Sequence, residues 1–237
     1  MGMHFHVAIP NNATETVDTY HANGRKRESR YFQHGELVGY RSWAESGLVE
    51  HEYAWRDGLR DGYELVYHNT GDLMAAIPWS RGVLNGAGKQ WSRDGRLIVE
   101  WTVSEGTGVE LICSQLVGHE DGEYMSVAPG DPVLAIERHW MDGERNGFER
   151  WWAGDNRHIT DEMYFRDDHP HGIWRSWTRK GTQRRSFPQY FINGKRVTKR
   201  TYMRQTIGND TLPPLQAEDD MPARPLPEDF VRHLHAG

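Results

Sequence analysis

Along the chain, apolar and aromatic residues come in short runs interrupted by polar corners that contain glycine. Residues 51–56, 63–68 and 73–79 are runs of this kind, and five to seven residues is ordinary strand length. Nine Asn-Gly or Asp-Gly pairs punctuate the chain, at 23–24, 57–58, 61–62, 85–86, 94–95, 121–122, 142–143, 146–147 and 193–194. Such dipeptides accept positive φ and close tight hairpins. The pattern predicts an antiparallel meander.

The corners recur with a period. Glycines stand four apart at Gly35/Gly39, Gly58/Gly62, Gly82/Gly86, Gly118/Gly122 and Gly143/Gly147, with degenerate copies at Asp168/Gly172 and Gly194/Thr198. The first members are separated by 23, 24, 36, 25, 25 and 26 residues. The long interval predicts an insertion of about a dozen residues near 107–117, ahead of a poor fourth copy with Gln115 and Val127 at its aromatic positions. Three residues before the first glycine stands an aromatic: Phe32, Trp55, Trp79, Trp140, Phe165 or Phe191. Another follows the second position, as Trp43, Tyr67, Trp91, Trp152, Trp177 or Tyr202, and then a turn residue, Gly47, Gly71, Gly95, Asn156 or Gly181. Asn156 fits because Asn enters the left-handed region more readily than other residues with a Cβ.

Each unit thus reads as two strands and two turns. The expected fold is all-β: an elongated, single-layer antiparallel β-meander solenoid of about seven hairpin repeats over residues 18–207. A lone hairpin is marginal in water, but stacked copies pair edge to edge and align equivalent rings, at roughly 0.2–1 kcal/mol for each cross-strand pair. Residues 1–17 are expected to supply a capping strand. Residues 208–237 hold five prolines and six acids and read as a tail with a short C-terminal helix opened by Pro227, on which Phe230, Val231 and Leu234 share a face. That helix is either a cap or a docking element, with the cap preferred.

Composition narrows the function. The chain has 237 residues, of which 37% are hydrophobic, and it compensates with ten Trp, ten Tyr and seven Phe. A net charge of −6 argues against nonspecific nucleic-acid binding and against docking on anionic lipid. The single cysteine, Cys113, excludes an internal disulfide and suits a reducing compartment. Neither a basic-then-apolar leader nor an apolar run long enough to span a bilayer is visible, so a soluble, cytoplasmic protein is expected.

Candidate chemistry is sparse. His4/His6, His169/His171 and His233/His235 are spaced to share a strand face, but no third ligand accompanies any pair. Cys113 ends the apolar run 109–113 and reads as buried. Asp57, Asp61, Asp94, Asp121 and Asp142 occupy turn positions, which explains them without catalysis. No nucleophile elbow, phosphate loop, dinucleotide fingerprint or zinc helix occurs. No catalytic residue, metal or cofactor is therefore expected.

The stretches 55–71 (Trp-Arg-Asp-Gly-Leu-Arg-Asp-Gly-Tyr onward) and 140–152 (Trp-Met-Asp-Gly-Glu-Arg-Asn-Gly-Phe onward) resemble the MORN-repeat variant of bacterial YwqK-family antitoxins. The resemblance implies a non-enzymatic protein-binding repeat module, and an antitoxin or immunity protein that blocks a toxin by binding. The acidic surface would complement a basic toxin. Candidate partner-binding residues are the second-strand aromatics Trp43, Tyr67, Trp91, Trp152 and Trp177, with Phe230 and Leu234 of the terminal helix. Competing readings are a structural scaffold, a membrane-associated MORN protein, and an enzyme built around His169 and His171.

Overall fold

Two-residue corners organise the protein. Among the residues that the computed structural model describes (9–113, 132–216 and 218–234), seven corners place two consecutive residues at positive φ. They are His34–Gly35, Asp57–Gly58, Arg81–Gly82, Glu105–Gly106, Asp142–Gly143, Asp167–Asp168 and Asn193–Gly194, with φ of 48–53° at the first residue and 60–86° at the second. Two left-handed residues in succession make a type I′ turn, whose twist matches that of the strands it joins.

The chain divides into two units, residues 1–106 and 107–237. In the first, β1 (Thr14–Tyr20), β2 (Lys26–Gln33), β3 (Glu36–Trp43), β4 (Val49–Arg56), β5 (Leu59–Arg60), β6 (Gly62–Tyr67), β7 (Leu73–Ser80), β8 (Val83–Leu84), β9 (Gly86–Trp91) and β10 (Leu97–Ser104) pair in sequence order, always antiparallel. The second repeats the pattern with β11 (Thr107–Cys113), β12 (Leu134–Met141), β13 (Glu144–Trp152), β14 (Ile159–Arg166), β15 (His169–Pro170), β16 (Ile173–Ser176), β17 (Gln189–Ile192) and β18 (Lys195–Val197). This is the expected all-β meander.

Backbone hydrogen bonds stitch four of these corners to the preceding copy. Gly82 N–H donates to the Arg60 carbonyl, Gly106 to Leu84 and Gly194 to Pro170, each at 2.8 Å, and Asp168 to Arg145 at 3.1 Å. The opposite loops repeat a different closure. The Ala44 N–H donates to the Leu48 carbonyl and the Gly47 N–H to Ala44, and the same two bonds recur at His68/Asp72/Gly71, Ser92/Arg96/Gly95 and Thr178/Thr182/Gly181. Each glycine there has positive φ.

Three expectations need correction. The fourth copy turns at Glu105–Gly106, 24 residues after Arg81, so residues 107–113 form a regular repeat strand paired with β12 and are not an insertion. The extra length falls between Cys113 and Leu134; Gln115, Gly118, Gly122 and Val127, assigned above to a fourth copy, lie outside the described residues. Glu-Gly is a weaker hairpin signal than Asn-Gly, and Glu110 stands where other copies carry the second glycine. Finally, the opening strand is Thr14–Tyr20, so a boundary at residue 17 cuts through it; residues 1–8, with His4 and His6, lie outside the described residues.

The C-terminal segment is a cap. Helix α1 (Lys199–Gln205) begins at Thr198, whose hydroxyl accepts from the Thr201 N–H. It buries Tyr202 with Ile173, Tyr190 and Leu212. Beyond it the chain returns along the second unit's sheet: the Ile159 N–H donates to the Pro222 carbonyl and His158 bridges Ala223. Helix α2 (Glu228–Leu234) buries Phe230 completely. Among the described residues no helix is long and apolar enough to cross a membrane.

Candidate partner-binding site

Strands β3 and β4 build an aromatic surface in the first unit. Tyr40 lies opposite Tyr53 in the register. His51, Tyr53 and Trp55 alternate along β4 and so share one face. The rings touch: Tyr40–Tyr53 centroids are 5.0 Å apart and stacked, His51–Tyr53 are 5.0 Å apart, and Tyr53–Trp55 4.7 Å. All four residues are half-buried.

A charged clasp fixes this surface. The Arg60 guanidinium lies 4.4 Å from the Tyr53 ring centroid and 5.0 Å from that of Trp79. Its Nη1 donates to Glu64 Oε2 at 2.5 Å, the Trp79 indole donates to the same oxygen at 2.9 Å, and His51 Nε2 meets Glu64 Oε1 at 2.7 Å. Burial alone would raise the Glu64 carboxyl, but the hydrogen bond from His51 and the charge of Arg60 hold it below its ordinary value. The carboxylate stays ionised and keeps three partners in place. On the alternate β4 position, Glu52 accepts from Arg41 and from the Tyr67 hydroxyl, which burial and then the hydrogen bond to Glu52 push well above the ordinary phenol value.

The clasp has a counterpart in the second unit. Arg145, like Arg60 two residues past the corner glycine, lies 4.2 Å from the Phe165 ring centroid and 3.7 Å from Glu149, four residues on. Glu149 also accepts from Arg138 at 2.6 Å. Arg-x-Gly-x-Glu is thus a structural signature of two copies, at 60–64 and 145–149. Aromatic spacing alone missed it; the two Arg–Glu pairs four residues apart were the available signal.

A second charged row runs along the opposite set of β12–β16 positions. Arg150 bridges Glu137 at 3.0 Å and Glu162 at 2.8 Å, and Arg224 from the C-terminal segment reaches both Glu162 oxygens at 2.9 Å. Burial opposes ionisation of Glu162, but Arg224 and then Arg150 hold its carboxyl low. Glu110 is the contrast: burial outweighs Arg138 and raises its carboxyl.

The seven expected partner-binding residues do not form one surface. Trp177 and Phe230 are fully buried and Trp152 is nearly so. The Trp177 indole donates to the Asp220 carbonyl at 3.1 Å, so the chain's own C-terminal segment occupies the place assigned to a partner. These three rings serve internal packing, and their assignment to a partner is corrected accordingly. Trp43, Tyr67, Trp91 and Leu234 are half-buried. Tyr67 is engaged with Glu52, and Lys26 lies 5.7 Å from the Trp43 ring centroid.

The other candidate groups are also engaged in structure. Cys113 is buried and its thiol is pushed up to about 12 by desolvation, leaving no thiolate at neutral pH. His171 is buried and accepts from the Asn193 N–H at Nδ1, while His169 is exposed, so the pair does not converge. Among the described residues no three His, Cys, Asp or Glu side chains are grouped to hold a metal. No protein-family model matches the chain, and no curated protein matches it.

Proposed function

We propose that the protein is a non-enzymatic binding module for another protein, and that it acts as a bacterial, cytoplasmic antitoxin or immunity protein that neutralises a basic toxin by occluding it. The observation that carries the binding reading is the Tyr40–Tyr53–Trp55 surface clasped by Arg60. It gathers tyrosine, tryptophan and arginine, the residue types that dominate binding hot spots, on paired strands. Held by Glu64 and by ring contacts, these side chains lose little conformational freedom when a partner arrives. The acidic net charge supports the choice of a basic partner, because complementary charge raises the association rate. The antitoxin role rests on the sequence resemblance.

The experiment is affinity purification of the tagged full chain from its native cells, beside the double variant Tyr53→Ala/Trp55→Ala. We expect one stoichiometric basic partner with the native chain, and its affinity reduced at least about 30-fold in the variant, the scale of a 2 kcal/mol hot spot. An unchanged complex in a folded variant refutes this surface. A chain that forms only large homo-oligomers in light scattering refutes the reading in favour of a scaffold.

A further inference from the structure

Charge is sharply segregated along this chain. Residues 169–209 contain ten Lys or Arg and not one Asp or Glu. The chain's net −6 therefore resolves into +10 in this segment and −16 elsewhere. A whole-chain value conceals such a patch, and only the local value governs what docks there.

Nine of the ten cations are exposed. Arg175 is the exception, and it shows how the segment treats carboxylates. Fully buried, it donates through Nε to Asp220 and through Nη2 to Asp219, each at 3.4 Å, in the short acidic 3-10 turn Glu218–Asp220 of the C-terminal segment. Among the described residues, Arg185, Arg196, Lys199, Arg200 and Arg204 form no comparable ion pair. Two cations on β18 suffice to discourage unwanted pairing of that terminal strand. The remainder, on the 178–186 loop and on α1, have no such duty.

The same region has shape. An open cleft of about 650 Å³ lies between β17–β18 and the start of α1. Gln189, Arg196, Thr198 and Lys199 supply its polar lining, and Pro188 and Val197 its apolar floor. Further along, Met203 on α1 and Ile207 just after it are 40% and 83% exposed. Apolar side chains next to cations suit a ligand with both carboxylates and apolar groups, which a nucleic acid lacks. A lipid surface would need a larger projecting apolar face than two side chains beside a concavity.

We propose that this basic cap binds an acidic, apolar-containing segment of a partner protein, as Arg175 already receives Asp219 and Asp220 in cis. The proposal deepens the protein-binding reading: the acidic body meets one sign of charge, and the cap the other. Its residues belong to the second unit, whereas Tyr53 and Trp55 belong to the first.

The test is fluorescence anisotropy on the full chain with four probes. These are a labelled short peptide alternating Glu/Asp with Leu/Val, its Gln/Asn counterpart, an oligouridylate of equal length, and phosphatidylserine–phosphatidylcholine vesicles. We expect the acidic peptide to bind at least about ten-fold more tightly than the other three, and to weaken as salt rises. The variant R196E/K199E/R200E should lose at least about ten-fold, as should R185E/R204E, each with unchanged circular dichroism, whereas Tyr53→Ala/Trp55→Ala should bind the peptide normally. Equal or tighter binding of oligouridylate or vesicles overturns the proposal. So does an acidic peptide that binds no better than its uncharged counterpart, or one indifferent to both charge reversals.

Discussion

The indole of Trp101 on β10 covers the backbone of Gly88, its register partner on β9. A Cβ at Gly88 would overlap the six-membered ring, and Trp101 is itself 3% exposed with no room to retreat. Here glycine is required by the close approach of a ring and not by backbone conformation. Gly88→Ala should therefore destabilise the protein by about 1–3 kcal/mol, the usual cost of overpacking. Urea denaturation measures this, and an unchanged midpoint would contradict the packing described.

The fourth corner offers a gain of stability. Glu105 sits at φ 48°, where Asn is tolerated better than a longer side chain. Glu105→Asn should stabilise by about 0.5 kcal/mol, and Glu105→Val, β-branched at positive φ, should destabilise by more than that. Thermal melts of the two variants should move in opposite directions.

Arg224 ties the C-terminal segment to the sheet. Replacing it with Met leaves Glu162, 1% exposed, with Arg150 and Arg175 alone, and should cost about 1.5–3 kcal/mol. The Glu162 carboxyl is held below its ordinary value of 4.5. Its contribution is thus complete above that pH and is lost as pH falls through the lowered value. Stability followed from pH 6 downward should fall less steeply in Arg224→Met than in the native protein.

His171 should impose a second, milder pH dependence. Burial, then the charge of Arg166, lowers its folded value below 6.5. The Asn193 N–H occupies Nδ1, which fits a neutral ring with its proton on Nε2 facing Thr211 Oγ1. The unfolded chain binds the proton more readily, so this contribution is full above about pH 6.5 and is lost as pH drops toward the lowered value. His171→Gln should start less stable at pH 7.5 and lose less between pH 7 and 5. An identical slope in both proteins would remove His171 from the account.

Much of this fold was legible in the primary structure. Asn-Gly and Asp-Gly pairs at 57–58, 142–143 and 193–194 are corners of the kind expected, because the turn conformation is fixed by two residues acting locally. The fourth corner was less legible because Glu105 occupies a position where the preferred residue is absent, and the turn is held from the preceding copy, by the Leu84 carbonyl and the Asn85 side chain. The binding surface was less legible. Trp177 and Trp152 share a repeat position with Trp43, yet the C-terminal segment returns over Trp177, a long-range event that no local spacing encodes. Tyr53 was overlooked because it lies mid-strand, where alternation alone does not say which face stays uncovered.

Amide hydrogen exchange tests most directly the hydrogen bonds that tie four corners to the preceding copy. Gly82, Gly106, Asp168 and Gly194 donate to the preceding copy, whereas among the described residues the Gly58 N–H, at the same corner position, meets no such carbonyl. We expect the four to exchange at least about a hundred-fold more slowly than Gly58 after correction for intrinsic rates. If all five exchange alike, the copies are not stitched in this way.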